Sequence, residues 1–217
     1  MSDTTKRYVL LDRDGVINRR IADGYVTQWK YFEFLPGVLA ALRLFRENGY
    51  TALVVSNQSC VGRGLLTWEE LQAITRRMLL EVALAGGTIG NVYYCPHAPG
   101  DECSCRKPQP GLLLKAIEEH QAWPAQIYMV GDSISDMEAA ARAGCRSLLV
   151  QRGAFFQDGV IGGAPSHIVS DLLEAANLIV RRDTPTLSEA LHRGWLPFFS
   201  NGDPGGRLST SSKRTPA

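Results

Sequence analysis

A short apolar run that ends in two acidic residues most constrains what this chain can fold into. Leu10 and Leu11 lead directly into Asp12-Arg13-Asp14-Gly15, so two carboxylates stand one residue apart where the apolar run stops. Such a run is typical of a buried strand in an open α/β sheet, which binds ligands at the carboxyl ends of its strands. The glycine lets the chain turn away there. The same residues also fit an Asp-Gly turn in an ordinary hairpin, and later segments decide between the two.

Length and composition indicate a globular protein with an adequate core. The chain has 217 residues, of which 45% are hydrophobic and 21% charged, so we expect one domain with an appendage. A net charge of +1 provides no basic field for nucleic acid. The first seven residues lack the apolar region of a secretory signal, and no apolar run is long enough for a membrane span. We therefore expect a cytoplasmic protein without nucleic-acid or membrane partners, and a monomer.

Strand-like and helix-like segments alternate along the chain. Continuous apolar runs predict strands at 8–11, 51–55, 91–94, 127–130, 147–150 and 168–169. Proline, capping and glycine signals predict the intervening helices, which start at Pro36, after Thr67, at Pro110, around Asp136 and at Asp171. This order predicts an α/β fold, with a doubly wound, mostly parallel, Rossmann-like sheet, helices on both faces and no large cap domain.

The composition changes at about Asp183. Residues 183–217 are rich in Gly, Ser, Thr and Pro, apart from the apolar cluster Trp195–Phe199. We expect a folded domain over residues 1–182 and a largely disordered extension over 183–217. The apolar cluster would dock on the body of the protein or on a partner.

Polar side chains follow four of the predicted strands. The carboxyl ends of parallel strands lie at one edge of a sheet, so residues far apart in the chain converge on one crevice. A divalent cation there would need two or three oxygen ligands, and a lysine would offset a dianionic group. This set therefore favours phosphoryl transfer. Its members are Asp12, Asp14, Ser56, Asn57, Lys107, Asp132 and Asp136.

Three cysteines and a histidine crowd into the segment Cys95-x-His97-x5-Cys103-x-Cys105. Three thiolates and an imidazole suit tetrahedral zinc and leave no open position, so we expect a structural zinc. Such a zinc would fix the adjacent Arg106 and Lys107 at the crevice. The alternative is free buried thiols with a surface histidine. Cys60 and Cys145 belong to no such pattern.

Four motifs, in order over residues 7 to about 180, resemble those of the haloacid dehalogenase superfamily of phosphatases. They are Asp12–Gly15, Ser56–Gln58, Arg106–Pro108 and Gly131–Asp136. The cysteine loop is similar to that of the zinc-loop members, the heptose-1,7-bisphosphate 7-phosphatases and the histidinol-phosphate phosphatases.

The resemblance implies a role for each matching residue. Asp12 would attack phosphorus and become an aspartyl phosphate. Asp14 would protonate the leaving oxygen and then activate water, which requires a raised pKa. Mg2+ would be held by Asp12, the main-chain carbonyl of Asp14, and Asp132. Ser56 and Lys107 would hold the phosphoryl group.

The resemblance also implies the substrate contacts. The matching positions are Asp23, Gly24, Tyr25, Ser56, Asn57, Gln58, Ser59, Arg106 and Lys107. Ser133 departs from the pattern, because the heptose enzymes carry lysine there, and this puts affinity or substrate identity in doubt. Asp136 either contributes to the site or only caps its helix.

Two features point to different branches of the zinc-loop phosphatases. The five-residue spacer in the cysteine loop resembles the histidinol-phosphate enzymes, whereas Ser56–Gly64 and Asp23–Val26 resemble the heptose enzymes more closely. Because the latter segments approach the substrate, we expect removal of the 7-phosphate of D-glycero-D-manno-heptose 1,7-bisphosphate, a step of lipopolysaccharide-core or S-layer sugar synthesis. The alternatives are a histidinol-phosphate phosphatase and, in another class, a non-catalytic sugar-phosphate-binding or docking protein.

Overall fold

The computed structural model describes residues 6–22, 24–151 and 165–183. These residues form one six-stranded sheet flanked by helices. The strands are β1 Arg7–Leu11, β2 Tyr50–Asn57, β3 Ile89–Cys95, β4 Tyr128–Gly131, β5 Arg146–Val150 and β6 His167–Val169. The helices are α1 Val38–Glu47, α2 Ser59–Gly62, α3 Trp68–Leu84, α4 Gly111–Glu119, α5 Ile134–Ala143 and α6 Leu172–Asp183.

The strand order places β1 at the centre of the sheet. The order is β3-β2-β1-β4-β5-β6, and every neighbouring pair is parallel. Because the order reverses beside β1, its carboxyl end lies at the topological switch point, where open α/β sheets bind ligands. The predicted doubly wound parallel sheet is therefore confirmed, and the hairpin alternative for Asp12–Gly15 is wrong.

The core lies on both faces of the sheet. Val9 and Leu11 of β1 pack into one cluster with apolar side chains of α1, α3 and α6. Tyr8 and Leu10 pack into the other cluster, with side chains of α4 and α5. Burial on both faces explains why β1 reads as an uninterrupted apolar run rather than an alternating one.

Two details of the helices differ from the predictions. Helix α1 begins at Val38 rather than Pro36, because Gly37 has the left-handed φ of 80° and interrupts the helical backbone. Helix α2 was not predicted, since its four residues are too few to show a helical period. The predicted capping box of α3 is confirmed, with the Thr67 main-chain N–H donating to Glu70 and the Glu70 N–H to the Thr67 hydroxyl.

Some predictions fall outside the described residues. These are Asp23, the extension after Asp183 and the cluster Trp195–Phe199, so the predicted domain boundary stays a prediction. Within the described part of the chain, no helix is long and apolar enough to cross a membrane.

Candidate active site

A cavity of about 550 Å³ opens at the carboxyl edge of the sheet. Most of the predicted catalytic and substrate-contacting residues line it, which are Asp12, Asp14, Gly24, Tyr25, Ser56, Asn57, Ser59, Arg106 and Lys107. The structure therefore brings together side chains from the ends of β1 and β2 and from the loop after β3. The roles assigned to them stay predictions.

Lys107 connects two carboxylates on the cavity floor. Its Nζ lies 2.9 Å from Oδ1 of Asp12 and 2.6 Å from Oδ1 of Asp136, and it donates to the main-chain oxygen of Val55 at 2.8 Å. Lys107 is only 3% exposed and Asp136 only 1%. Burial lowers the pKa of Lys107, but the two carboxylates outweigh it and raise that pKa to about 12. Lys107 is therefore a fixed cation beside Asp12.

The burial that surrounds Asp12 also affects its own ionisation. Burial raises the pKa of Asp12 more than Lys107 lowers it, and the charges of Asp136 and Asp14 add to the rise. Asp136 does more than cap its helix. Its Oδ2 accepts from the main-chain N–H of Ser133 at 3.1 Å, which completes the cap of α5, while its Oδ1 faces Lys107.

Asp14 lies among hydrogen-bond donors. The buried Arg13 guanidinium contacts its Oδ2 at 2.9 Å, Gln58 Nε2 donates to Oδ2 at 2.7 Å, and Asn18 Nδ2 donates to Oδ1 at 2.8 Å. Burial raises the pKa of Asp14, but Arg13 and the two amides outweigh it, so the net shift is downward. The predicted raised pKa of Asp14 is therefore wrong for the protein without substrate.

Sequence reasoning missed the residues that surround Asp14. Arg13 stands inside the first motif, and a charged residue between two acids at the end of a buried strand is the signal that could have identified it. Asn18 is buried as well and carried no comparable signal. Gln58 was predicted to bind substrate, but its buried side chain is engaged by Asp14, Ser56 and Arg13 instead of lining the cavity.

Asp132 lies directly against the turn after β1. A Cβ atom at Gly15 would stand 1.8 Å from Oδ2 of Asp132, so this approach requires glycine. Burial raises the pKa of Asp132 to about 7, with the charges of Asp12 and Asp136 adding to the rise and Arg20 opposing it. One carboxylate oxygen each from Asp12, Asp132 and Asp136 lies within 4.8 Å of the others. An all-oxygen set of this kind fits a hard cation such as Mg2+.

Asn57 fixes the main chain of Lys107. Its Nδ2 donates to the Lys107 carbonyl at 3.0 Å, and its Oδ1 accepts from the Lys107 N–H at 3.1 Å. This amide ties the end of β2 to the loop that carries the lysine. Tyr25 and Ser59 also line the cavity, and their hydroxyl oxygens lie 3.2 Å apart.

The predicted zinc ligands cluster in the loop that follows β3. The Cys95 sulfur lies 3.4 Å from His97 Nδ1, 3.8 Å from the Cys103 sulfur and 3.3 Å from the Cys105 sulfur, and His97 Nδ1 lies 3.2 Å from Cys105. Zinc bonds of about 2.3 Å to sulfur and 2.0 Å to nitrogen put tetrahedral ligand atoms roughly 3.5–3.8 Å apart. The cluster therefore fits a zinc ion.

Positively charged side chains line the cavity. Arg20 and Arg63 line it together with the predicted Arg106, and neither was among the predicted site residues. Ser133, which stands where lysine was expected, donates from its hydroxyl to Asp136 at 2.6 Å and lies 2.9 Å from the Ser135 hydroxyl. Ser133 therefore adds no positive charge to the wall, and the positive charge comes from other segments.

Comparisons with known proteins agree with this geometry. A family model described as HAD-hydrolase-like matches residues 104–175. A Mycobacterium bovis protein named D-glycero-alpha-D-manno-heptose-1,7-bisphosphate 7-phosphatase is 39% identical over 169 residues, which cover 75% of this chain and 83% of the relative. A Bordetella bronchiseptica protein named as the 7-phosphatase of the beta anomer is 35% identical over 177 residues, covering 81% and 98%.

A solved structure is similar as well. It is the crystal structure of D,D-heptose 1,7-bisphosphate phosphatase from B. bronchiseptica complexed with magnesium and phosphate. The two chains align with a TM-score of 0.75 and 34% identity, over 81% of this chain and 99% of the other.

Proposed function

The chain belongs to the haloacid dehalogenase-like phosphatases, in the family of the heptose-1,7-bisphosphate 7-phosphatases, and from this premise we propose how it acts. It is a Mg2+-dependent phosphoric monoester hydrolase that removes the 7-phosphate of D-glycero-D-manno-heptose 1,7-bisphosphate. This activity fits lipopolysaccharide-core sugar synthesis. The observation that carries the proposal is the Lys107 bridge between Asp12 and Asp136, with a carboxylate oxygen of Asp132 within 4.8 Å of theirs.

Asp12 is the proposed nucleophile. Lys107 holds its Oδ1, so the other oxygen attacks phosphorus as the bond from phosphorus to the sugar oxygen breaks. Ser56 and Lys107 hold the oxygens of the transferring phosphoryl group. Water then attacks the aspartyl phosphate, which releases phosphate and restores the Asp12 carboxylate.

Asp14 is the proposed general acid and base. Its lowered pKa in the free protein suits the second half of the reaction, in which it takes a proton from the attacking water. The first half requires a protonated Asp14. A phosphate dianion beside Asp14 would raise that pKa by like-charge repulsion, which is the direction that the first half requires.

The proposed ligands of Mg2+ are the carboxylates of Asp12 and Asp132 and the main-chain carbonyl of Asp14. A divalent cation there neutralises charge on the phosphoryl oxygens and the nucleophile. Zinc is proposed at Cys95, His97, Cys103 and Cys105, where all four positions are filled by protein ligands and the role is structural.

The charge of the cavity favours a sugar bisphosphate over histidinol phosphate. Arg20, Arg63 and Arg106 line the cavity that holds the Asp12 nucleophile. Guanidinium groups bind a second phosphate well, whereas they repel the ammonium group of histidinol phosphate. The non-catalytic alternative is not favoured, because the nucleophile and the general acid are both present at the cavity floor.

Phosphate release in the presence of Mg2+ tests the proposal. The substrates are both anomers of heptose 1,7-bisphosphate and histidinol phosphate, and Asp12→Asn is the inactive control. We expect kcat/KM to favour the heptose bisphosphate by roughly a hundredfold, about 2.7 kcal/mol of transition-state discrimination. Preference for histidinol phosphate would keep the chemistry but contradict the substrate. No release from any ester would favour the non-catalytic alternative.

A further inference from the structure

Arg20 contacts two of the oxygens proposed to bind the cation, one that follows β1 and one that follows β4. Its Nη2 lies 2.7 Å from Oδ1 of Asp132 and 3.2 Å from the main-chain oxygen of Asp14. These contacts join the polar loop after β1 to the end of β4, far away in the sequence. The Arg20 side chain is 52% exposed, whereas that of Asp132 is 16% exposed.

The Arg20 guanidinium and a divalent cation compete for the same place. A cation bound to the Asp14 carbonyl and Asp132 would lie about 2.1 Å from each oxygen. One nitrogen of Arg20 already lies within hydrogen-bond distance of both oxygens, so the two positive charges would be forced together in a partly buried site. Like charges at this separation repel strongly when solvent screening is reduced. Arg20 therefore has to leave before a cation can bind.

We infer that Arg20 is a positioning residue that occupies the cation ligands in the free protein and turns to the substrate once a cation replaces it. The inference rests on the proposed magnesium site and bisphosphate substrate. Arg20 lines the cavity and is half exposed, so its side chain has room to move. Arg13 is fully buried beside Asp14 and has no such freedom. The displaced guanidinium would contact the anionic group of the substrate that does not react.

Binding of Mn2+ as a probe of the site, without substrate, tests the first half of the inference. Titrations at pH 8 followed by electron paramagnetic resonance compare the wild type with Arg20→Gln. Loss of the competing guanidinium should tighten Mn2+ binding by about 3- to 10-fold, as expected of a partly buried ion pair.

Two matched variants separate competition from a general change in charge. Arg63→Gln removes the same charge from the cavity wall, at a residue with no hydrogen bond or ion pair to Asp132 among those of the described residues. Arg19→Gln removes the neighbouring arginine, which pairs with Glu33. Both should change Mn2+ affinity by less than about twofold. Equal tightening in Arg20→Gln and Arg63→Gln would indicate a through-space field and overturn the inference.

Kinetics at saturating Mg2+ test the second half. Arg20→Gln should raise KM for heptose 1,7-bisphosphate by roughly 3- to 10-fold, with a smaller change in kcat, since a binding contact is lost. Unchanged Mn2+ affinity in Arg20→Gln, or an unchanged KM, would overturn this inference but not the proposed function. Failure of the wild type to bind Mn2+ at all would overturn the magnesium site of the proposed function, and this inference with it.

Discussion

Two acidic residues at the end of β1 are held in opposite electrostatic states. Burial dominates at Asp12 and raises its pKa despite Lys107, whereas donors dominate at Asp14 and lower its pKa. The difference depends on the donors around Asp14, which are the adjacent Arg13, Asn18 four residues on, and Gln58 after β2. These directions are the reverse of those that the first proposed step needs, an ionised Asp12 and a protonated Asp14. A cation held by Asp12 would lower the pKa of Asp12, and a phosphate dianion beside Asp14 would raise that of Asp14.

Gly15→Ala should disrupt the cation site. Its φ is 94°, and a Cβ atom would stand 1.8 Å from Oδ2 of Asp132, so that carboxylate would be displaced. We expect kcat/KM to fall by roughly a hundredfold or more, with weaker Mn2+ binding, since one ligand is lost.

Gly64→Ala is the matched control for Gly15→Ala. Gly64 also has a positive φ, 68°, but a Cβ atom there meets open space. Only backbone strain of about 1–2 kcal/mol applies, so thermal stability should fall slightly and kcat/KM should be retained. A similar loss of activity in both variants would show that strain, and not contact with Asp132, explains the effect.

Asp132 should make the stability of the metal-free protein depend on pH. Burial raises its pKa from the ordinary 3.8 to about 7, so between these values the folded state holds a proton that the unfolded state has released. The free energy of unfolding should therefore fall as pH rises from about 4 to 7, by at most about 1.4 kcal/mol per pH unit for one proton. Urea unfolding in a chelator measures this slope.

Two variants identify the source of the slope. Asp132→Asn should reduce it without abolishing it, because burial raises the pKa of Asp12 as well. Glu33→Gln should leave it unchanged, because hydrogen bonding from Arg19 lowers the pKa of Glu33. A slope that persists in full without Asp132 would contradict the prediction.

At the scale of elements, the loop after β3 carries Lys107 to the cavity and is held on two sides. The Cys95–Cys105 cluster lies on one side, and the Asn57 amide holds the Lys107 main chain from the end of β2. Gly62 of α2 packs against this loop, where a Cβ atom would stand 2.6 Å from the Pro96 carbonyl oxygen. The loop is thus held by contacts within the Cys/His cluster, by α2 and by the end of β2.

Loss of zinc should reduce turnover through Lys107. Cys103→Ser removes one proposed ligand, so we expect lower zinc content by elemental analysis and a lower melting temperature. We also expect kcat to fall at least about tenfold, because Lys107 loses one of its anchors. Cys145→Ser is the matched control, since Cys145 lies outside the cluster. Full activity in protein that contains no zinc would contradict the structural role.

The same elements show how far sequence reasoning reaches. The strands were predictable because burial on both faces of the sheet requires continuous apolar runs. The parallel strand order then brings Lys107 Nζ within 2.9 Å of Asp12 Oδ1. The start of α1 was not predictable, because glycine can also adopt a helical φ, and the left-handed φ of Gly37 depends on the tertiary structure. The direction of the pKa shift of Asp14 was not predictable either, because Arg13 lowers that pKa together with hydrogen bonds from Asn18 and Gln58, which lie outside the Asp12–Gly15 motif.

At the scale of the whole molecule, α6 completes one face of the core. It packs against α1 and buries Leu172, Ala175, Ala176 and Ile179. Its last residue, Asp183, accepts a hydrogen bond at 2.5 Å from the hydroxyl of Tyr50, which starts β2. Among the described residues, all that line the cavity precede α6 in the sequence. Helix α6 therefore supports the fold from a distance, and we propose that the catalytic domain ends with it.

A chain that ends at residue 183 should fold and hydrolyse heptose bisphosphate with kcat/KM within about twofold of the full chain, because it keeps the core and every described residue at the cavity. A chain that ends at residue 170 is the matched control. It loses four buried side chains, of which Leu172 and Ile179 alone contribute about 2–3 kcal/mol each, a large share of the stability of a typical domain. We expect this shorter chain to be unfolded by circular dichroism. If instead the chain ending at residue 183 lost activity while keeping its melting temperature, residues 184–217 would have to act on the substrate or the cavity, and the proposed boundary would be wrong.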